Sequence, residues 1–286
     1  ERVLAGVVPA EISSKADIGA LQAQAVAARG EILSKTGLRH FNEGFDSCSE
    51  QHCQVFSGDS EMATAIAEKI APTRGLILSD PEGGIVDAVY GANCGGHSEA
   101  NHLVWTSPPD SMLAGIWDTR KATPPLNLAN EADVKRFIRL PPSCWCGDQS
   151  VEGGNKFRWK TAVNGKAWKE VEERGGVGRI REVTDFARGV SGRLRRLTLV
   201  GENGKRTLMK ELNIRKLFGM LRSACFIATW QRAPKGFITG AVFEGAGWGH
   251  GVGMCQTGAQ SMAKQGHGFQ KILAHYFPGS RLIRAY

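Results

Sequence analysis

From Ala16 to Ser34 the chain sets alanines, Leu21, Val26, Ile32 and Leu33 at helical spacing with no proline, and that run predicts one long helix. The rest must cover it. Around it the chain mixes element types without regular alternation. Helices are predicted over Ser60–Ala71, stopped by Pro72, and over Glu131–Ile138, Glu211–Leu221, Gln256–Lys264 and Gln270–Tyr276. Strands are predicted over Gly75–Leu78 and Ile85–Tyr90, joined by a turn at Asp80–Gly84, and over Arg179–Phe186 and Phe226–Phe243. A hairpin is expected where Leu194–Val200 and Arg206–Met209 flank a Gly-Glu-Asn-Gly turn. There is no repeat and no low-complexity tract. The expected class is α+β rather than a doubly wound sheet.

The segment HFNEGFDSCSEQHC, from His40 to Cys53, concentrates chemistry. Cys48 and Cys53 offer thiolates and His40 and His52 offer imidazoles, the Cys₂His₂ set that tetrahedral zinc accepts. Its spacing is neither that of a zinc finger nor that of a zinc peptidase helix. Gly44, Asp46 and Ser47 favour the turns such a loop needs. The other reading is a Cys48–Cys53 disulfide with two exposed histidines.

The remaining cysteines differ in kind. Cys144 and Cys146 are too close in sequence for an ordinary disulfide, which points to separate partners or free thiols. Cys225, in ACFIATW, reads as a small core residue.

A net charge of +8 over 286 residues suits an anionic partner. The basic residues are nevertheless scattered. The densest group, Arg193–Arg196, alternates with apolar residues as on a solvated sheet face, which argues against nucleic acid. No stretch has the roughly 20 apolar residues of a membrane helix. The chain begins at Glu1 rather than Met, so an export signal or anchor is expected to lie outside this sequence, and a membrane partner enters only through such an anchor.

Two glycine-rich segments look like sites. GAGWGHGVGMCQTGA, from Gly245 to Ala259, surrounds Trp248 and His250 with glycines and fits neither a phosphate loop nor a dinucleotide fingerprint. Trp248 suits stacking on a sugar ring; the alternative is a core tryptophan among tight turns. CGGHSE, from Cys94 to Glu99, places Cys94, His97 and Glu99 on a loop.

Taken together, VVPAEI with ALQAQAVAARG, then HCQVFSG, NCGGHSE and GWGHGVGMCQTGAQSMAKQG with ILAHYFPG, occur in an order that resembles the SpoIID/LytB family of sporulation and cell-wall proteins. The resemblance covers the chain from near residue 1 to near 283 as one domain, with a divergent inserted or subsidiary region at about 124–206. It implies a lytic transglycosylase that cleaves the MurNAc–GlcNAc bond of peptidoglycan glycan strands and leaves 1,6-anhydro-MurNAc ends, in an extracytoplasmic compartment of the cell envelope.

In that reading Glu11 is the general acid and base, and Arg29 closes the family's alanine-rich helix as a second catalytic residue. Val7, Val8, Pro9, Ala10 and Ile12 are apolar neighbours suited to keeping a carboxylic acid protonated. Against this, Pro9 can start a helix and leave Glu11 in its first turn, and Arg29 can be a surface ion pair. The resemblance further implies that Cys94, Gly95, Gly96, His97, Ser98, Trp248, His250 and Gln256 contact the glycan. It also implies that His40, Cys48, His52 and Cys53 hold a structural zinc near the glutamate, with Asp46 as the substitute for His40. Met112, Leu113 and Ala114 stand where the family has Tyr-Leu-Lys, and Cys255 and Thr257 where it has serine and tyrosine; these departures point to slower turnover or another substrate. The rival function is a noncatalytic enhancer of a cell-wall amidase, and a zinc hydrolase is the third.

Overall fold

The long alanine-rich helix is present, and its central turns are buried. The computed structural model describes residues 1–50, 52–58 and 61–286, and its backbone divides into two units. The first comprises Glu1–Tyr90, Asp148–Glu152 and Gly253–Tyr286; the second comprises Gly91–Gly147 and Gly153–Val252. The architecture is mixed α+β.

In the first unit α1 spans Arg2–Glu11, α2 spans Ile18–Lys35 and α3 spans Glu61–Ile70. In α2, Ala20, Leu21, Ala23, Ala25, Val26, Ala27 and Ala28 are all fully buried, as expected of a helix that is apolar all round. The small side chains let α1, α3 and the helices Gln256–Lys264 and Phe269–Tyr276 pack against it. Burying Leu21 or Val26 is worth about 1.5–3 kcal/mol each. Helix α3 matches the expectation from Glu61 onward, and Ser60 lies outside the described residues.

Two local expectations for this unit need correction. Helix α1 contains Pro9 instead of starting at it, so Glu11 is the last helical residue and not a first-turn one. The strand Leu76–Ser79 does not form a hairpin with Ile85–Tyr90; only Ser79 and Ile85 bridge. Its antiparallel partner is Arg281–Arg284, with Ile77 opposite Ile283. A local turn at Asp80–Gly84 does form, with the Asp80 amide donating to the Gly84 carbonyl at 2.9 Å. The strand's ladder, however, is supplied by the far end of the chain.

The second unit holds two three-stranded antiparallel sheets. In one, Ile238–Ala246 lies between Arg158–Asn164 and Phe226–Arg232. The segment Phe226–Phe243 is thus a hairpin of two strands. In the other, Leu194–Gly201 lies between Ile180–Arg188 and Gly204–Met209. Gly201 pairs with Gly204, so Glu202 and Asn203 form the tight turn that the sequence pattern indicated. Trp168, Val171, Leu197, Leu199, Phe218, Phe226 and Phe243 fill the core between these strands and the helices Gly165–Gly175 and Glu211–Leu217. The rings of Phe218 and Phe243 are 4.9 Å apart, close enough for favourable aromatic packing.

Arg193 corrects the reading of the basic cluster. It precedes the strand and is buried, donating to Ser191 Oγ at 3.0 Å and to the Cys94 carbonyl at 3.1 Å. Among the described residues, no helix is long and apolar enough to cross a membrane.

Candidate functional site

Glu11 ends α1, where the partial negative charge of the helix C-terminus disfavours an ionised carboxylate. It is half-buried. Burial pushes its pKa above the ordinary carboxylate value, opposed by hydrogen bonds from Val55 and Gln256. The Val55 amide donates to Glu11 Oε1 at 2.7 Å, and Gln256 Nε2 donates to the Glu11 carbonyl at 2.9 Å.

Gly6 explains how Val55 reaches this place. A Cβ there would meet the Phe56 ring. Without one, Ser57 lies flat on α1 and donates its amide and hydroxyl to the Gly6 carbonyl at 3.2 and 2.9 Å.

Gln24 and Tyr90 complete the surroundings of Glu11, and the sequence reading overlooked both. Gln24 is fully buried on α2, with its Oε1 3.4 Å from Gln256 Nε2. Tyr90 is buried, and burial together with the charges of Glu11 and Glu31 pushes its hydroxyl pKa well up. A glutamine inside an otherwise apolar helical run was the available signal for Gln24. Tyr90 had none.

Arg29 is buried, not a surface ion pair. Its Nε and Nη2 donate to the two carboxylate oxygens of Glu1 at 2.9 and 2.7 Å, and its Nη1 donates to the Leu76 carbonyl at 2.8 Å. Burial works against the Glu1 charge, but Arg29, Tyr286 and the Gly75 amide hold its pKa at about 2. Arg29 therefore ties α2 to Glu1 and to the strand Leu76–Ser79, and its guanidinium is not joined to Glu11.

The loop after α2 brings His40, Cys48, His52 and Cys53 together, with their ligand atoms all within 4.8 Å of one another. Cys53 Sγ lies 3.1 Å from His40 Nε2 and 3.6 Å from His52 Nδ1, and Cys48 Sγ lies 3.9 Å from His52 Nδ1. A tetrahedral zinc with ordinary bond lengths separates sulfur and nitrogen ligands by about 3.5 Å, so the donor set fits that ion. Burial disfavours the Cys53 thiolate, yet hydrogen bonds from Cys48, His40 and Arg39 bring its pKa down to about 5. His40 Nδ1 is 2.9 Å from Glu43 Oε2, the carboxylate support commonly found behind a metal-bound histidine. Asp46 stands apart from this group and accepts from the Gly37 amide at 2.9 Å. Cys48 and Cys53 are both free thiols.

In the second unit, Trp248 is 39 % exposed and lines a groove of about 540 Å³ with Lys160, Met220 and Arg222. Lys156 Nζ and the Arg222 guanidinium each lie 5.4 Å from its ring centre. His250 is half-buried, its ring 5.0 Å from that of Trp105 and its Nδ1 accepting from the Val252 amide at 3.0 Å. The neighbouring glycines do make turns: Gly247, Gly249, Gly251 and Gly253 all have positive φ.

Cys94, Gly95, Gly96, His97 and Ser98 are buried. His97 packs edge-on against Trp117 at 4.6 Å, and burial lowers its pKa to about 4, leaving it neutral. Gln256 belongs to the first unit, at the start of its helix.

The model of the family described as "Stage II sporulation protein" matches residues 1–79. The stage II sporulation protein D of Bacillus amyloliquefaciens is 27% identical over 301 residues, covering 100% of this chain and 74% of its own length. These likenesses support membership of the stage II sporulation protein D family. The stage II sporulation protein D of Bacillus subtilis (strain 168) is 25% identical over 100% of this chain and 74% of its own length. The amidase enhancer of the same Bacillus subtilis strain is 26% identical over 98% of this chain, which spans 40% of that relative's length.

The stage II sporulation protein match takes in Glu11, Arg29 and the whole metal-type loop. A second model, described as a domain of unknown function (DUF8618), matches residues 99–253 and takes in Trp248 and His250. Cys94 to Ser98 fall between the two matches, and Gln256 follows them.

Proposed function

We propose that this chain acts on the bacterial cell wall, outside the cytoplasm, as a lytic transglycosylase with Glu11 as its acid and base. The observation that carries this reading is a half-buried carboxylate at a helix C-terminus, its pKa raised by burial and one oxygen held by the Val55 amide. A raised pKa favours the protonated form that a general acid must deliver.

In the proposed reaction Glu11 protonates the bridging glycosidic oxygen as the bond to the muramoyl C1 breaks. The carboxylate so formed then accepts the proton of the muramoyl 6-hydroxyl as O6 bonds to C1. One glutamate returns to its starting state, the product is the 1,6-anhydro end, and no second carboxylate is required, unlike a hydrolase that activates water. Gln256 and the Val55 amide orient Glu11, while Arg29 is a positioning residue that secures α2. Trp248, with two cations near its ring, offers a stacking face for a sugar ring that carries acidic substituents.

His40, Cys48, His52 and Cys53 would hold a structural zinc, which with four protein ligands orders the loop and leaves no open position for water. The loop's part in the reaction is to present Val55 to Glu11. The second reading, a noncatalytic enhancer acting with a cell-wall amidase, is favoured by the likeness to the amidase enhancer.

The test is incubation with purified glycan strands, with and without stem peptides, and mass spectrometry of the ends. Anhydro-muramoyl products that vanish in Glu11→Gln support the proposal. Products that survive Glu11→Gln and vanish with a chelator indicate metal-dependent hydrolysis. Absence of products, with retained binding to the strands, indicates the enhancer.

A further inference from the structure

Three backbone segments of the second unit are stitched together around a second set of metal-type donors. The Asp118 amide donates to the Gly96 carbonyl at 3.0 Å, and the Trp145 amide donates to the Asp118 carbonyl at 2.9 Å. His97 bridges Trp117, and Thr119 bridges Cys144. This arrangement turns Cys94, Asp118 and Cys146 toward one point. Their ligand atoms lie within 4.8 Å of one another, and all three residues are buried, Asp118 and Cys146 completely.

We infer that Cys94, Asp118 and Cys146 form a second, structural metal site for a borderline-soft divalent cation such as zinc, separate from the loop of His40 and Cys53. The spacing supports it. Cys94 Sγ lies 3.6 Å from Cys146 Sγ and 3.5 Å from Asp118 Oδ2. Tetrahedral zinc at its usual bond lengths sets two sulfurs about 3.8 Å apart and a sulfur and an oxygen about 3.5 Å apart. A disulfide needs sulfurs at about 2.05 Å, and closing one would draw Cys94 and Cys146 together beside a fully buried carboxylate.

The surroundings suit two thiolates and a carboxylate. The Gly96 amide points at Cys94 Sγ from 3.4 Å, and the Cys146 amide donates to Asp118 Oδ2 at 3.0 Å. Two guanidinium groups, that of Arg193 buried and that of Arg158 half-buried, grip the Cys94 loop: Arg193 donates to the Cys94 carbonyl at 3.1 Å and Arg158 to the Gly95 carbonyl at 2.8 Å. Three anionic donors and one dication leave a net negative charge, which these cations offset. Cys144 takes no part, its Sγ being directed at the Gly96 carbonyl from 3.9 Å.

This inference is independent of the transglycosylase reading, and its test does not use activity. The full chain carrying Cys48→Ala and Cys53→Ala, which removes the loop's thiolates, is titrated with Co²⁺ and its bound metal counted. One equivalent per chain is expected, with thiolate-to-cobalt charge-transfer absorption that Cys146→Ser abolishes and Asp118→Asn weakens by at least tenfold in affinity. In the unsubstituted chain, Cys94 and Cys146 should resist alkylation until a chelator is added; this arm needs no variant to fold. Absence of cobalt binding together with alkylation that ignores the chelator overturns the inference, as does a Cys94–Cys146 disulfide peptide in a nonreducing digest.

Discussion

Val55 donates its amide to Glu11 Oε1 at 2.7 Å, and Val55 lies on the same stretch of chain as Cys53, just beyond it. Gln54, between them, donates to the Ala28 carbonyl of α2 at 3.1 Å. The metal-type loop and the candidate acid are therefore joined through a few backbone atoms, and what orders one should order the other.

Glu11→Gln should lower the rate of glycan cleavage by about 10²- to 10⁴-fold, the usual range for a general acid. The same substitution should raise the melting temperature at neutral pH. The folded-state pKa of Glu11 is raised, so the stability it contributes is full below its unfolded value and lost as pH rises through the folded one. The gain should shrink on acidification toward pH 4.5, and a variant less stable than the parent at pH 7 would contradict the burial argument. For the parent, the rate should fall on the alkaline side as Glu11 loses its proton.

Removing the metal proposed for the loop should cost activity through local disorder rather than global unfolding. Chelation is expected to speed hydrogen exchange at the Val55 amide while the amides of α2 stay protected. Glu43→Ala, which deletes the carboxylate behind His40, should weaken zinc binding by about 10- to 100-fold, read by competition with a chromophoric chelator.

Arg29→Ala leaves Glu1 and the Leu76 carbonyl without their shared donor. Breaking a buried ion pair costs about 3–5 kcal/mol, and because Glu1 is 29% exposed the lower end, about 3 kcal/mol, is expected in urea unfolding. A loss of activity without loss of stability would instead place Arg29 at the substrate.

Trp248→Ala should weaken glycan binding and leave stability nearly unchanged, since the ring is exposed. Loss of one stacking contact, about 0.5–1.5 kcal/mol, corresponds to roughly two- to tenfold in the dissociation constant. Isothermal titration with glycan fragments measures it.

Helix α2, the helix Gln256–Lys264, the Glu202–Asn203 hairpin and the donor-rich loop could be read from the sequence, because each is set by residues adjacent along the chain: helical spacing, turn chemistry, and ligands clustered on one segment. Only tertiary structure decided that Leu76–Ser79 pairs with Arg281–Arg284, that Arg29 answers Glu1, that Arg193 is buried, and that Cys94, Asp118 and Cys146 converge. Strand partners and buried charges are chosen by which distant segments meet when the core closes, since every desolvated polar group must find a partner there. Spacing along a chain carries no record of that choice.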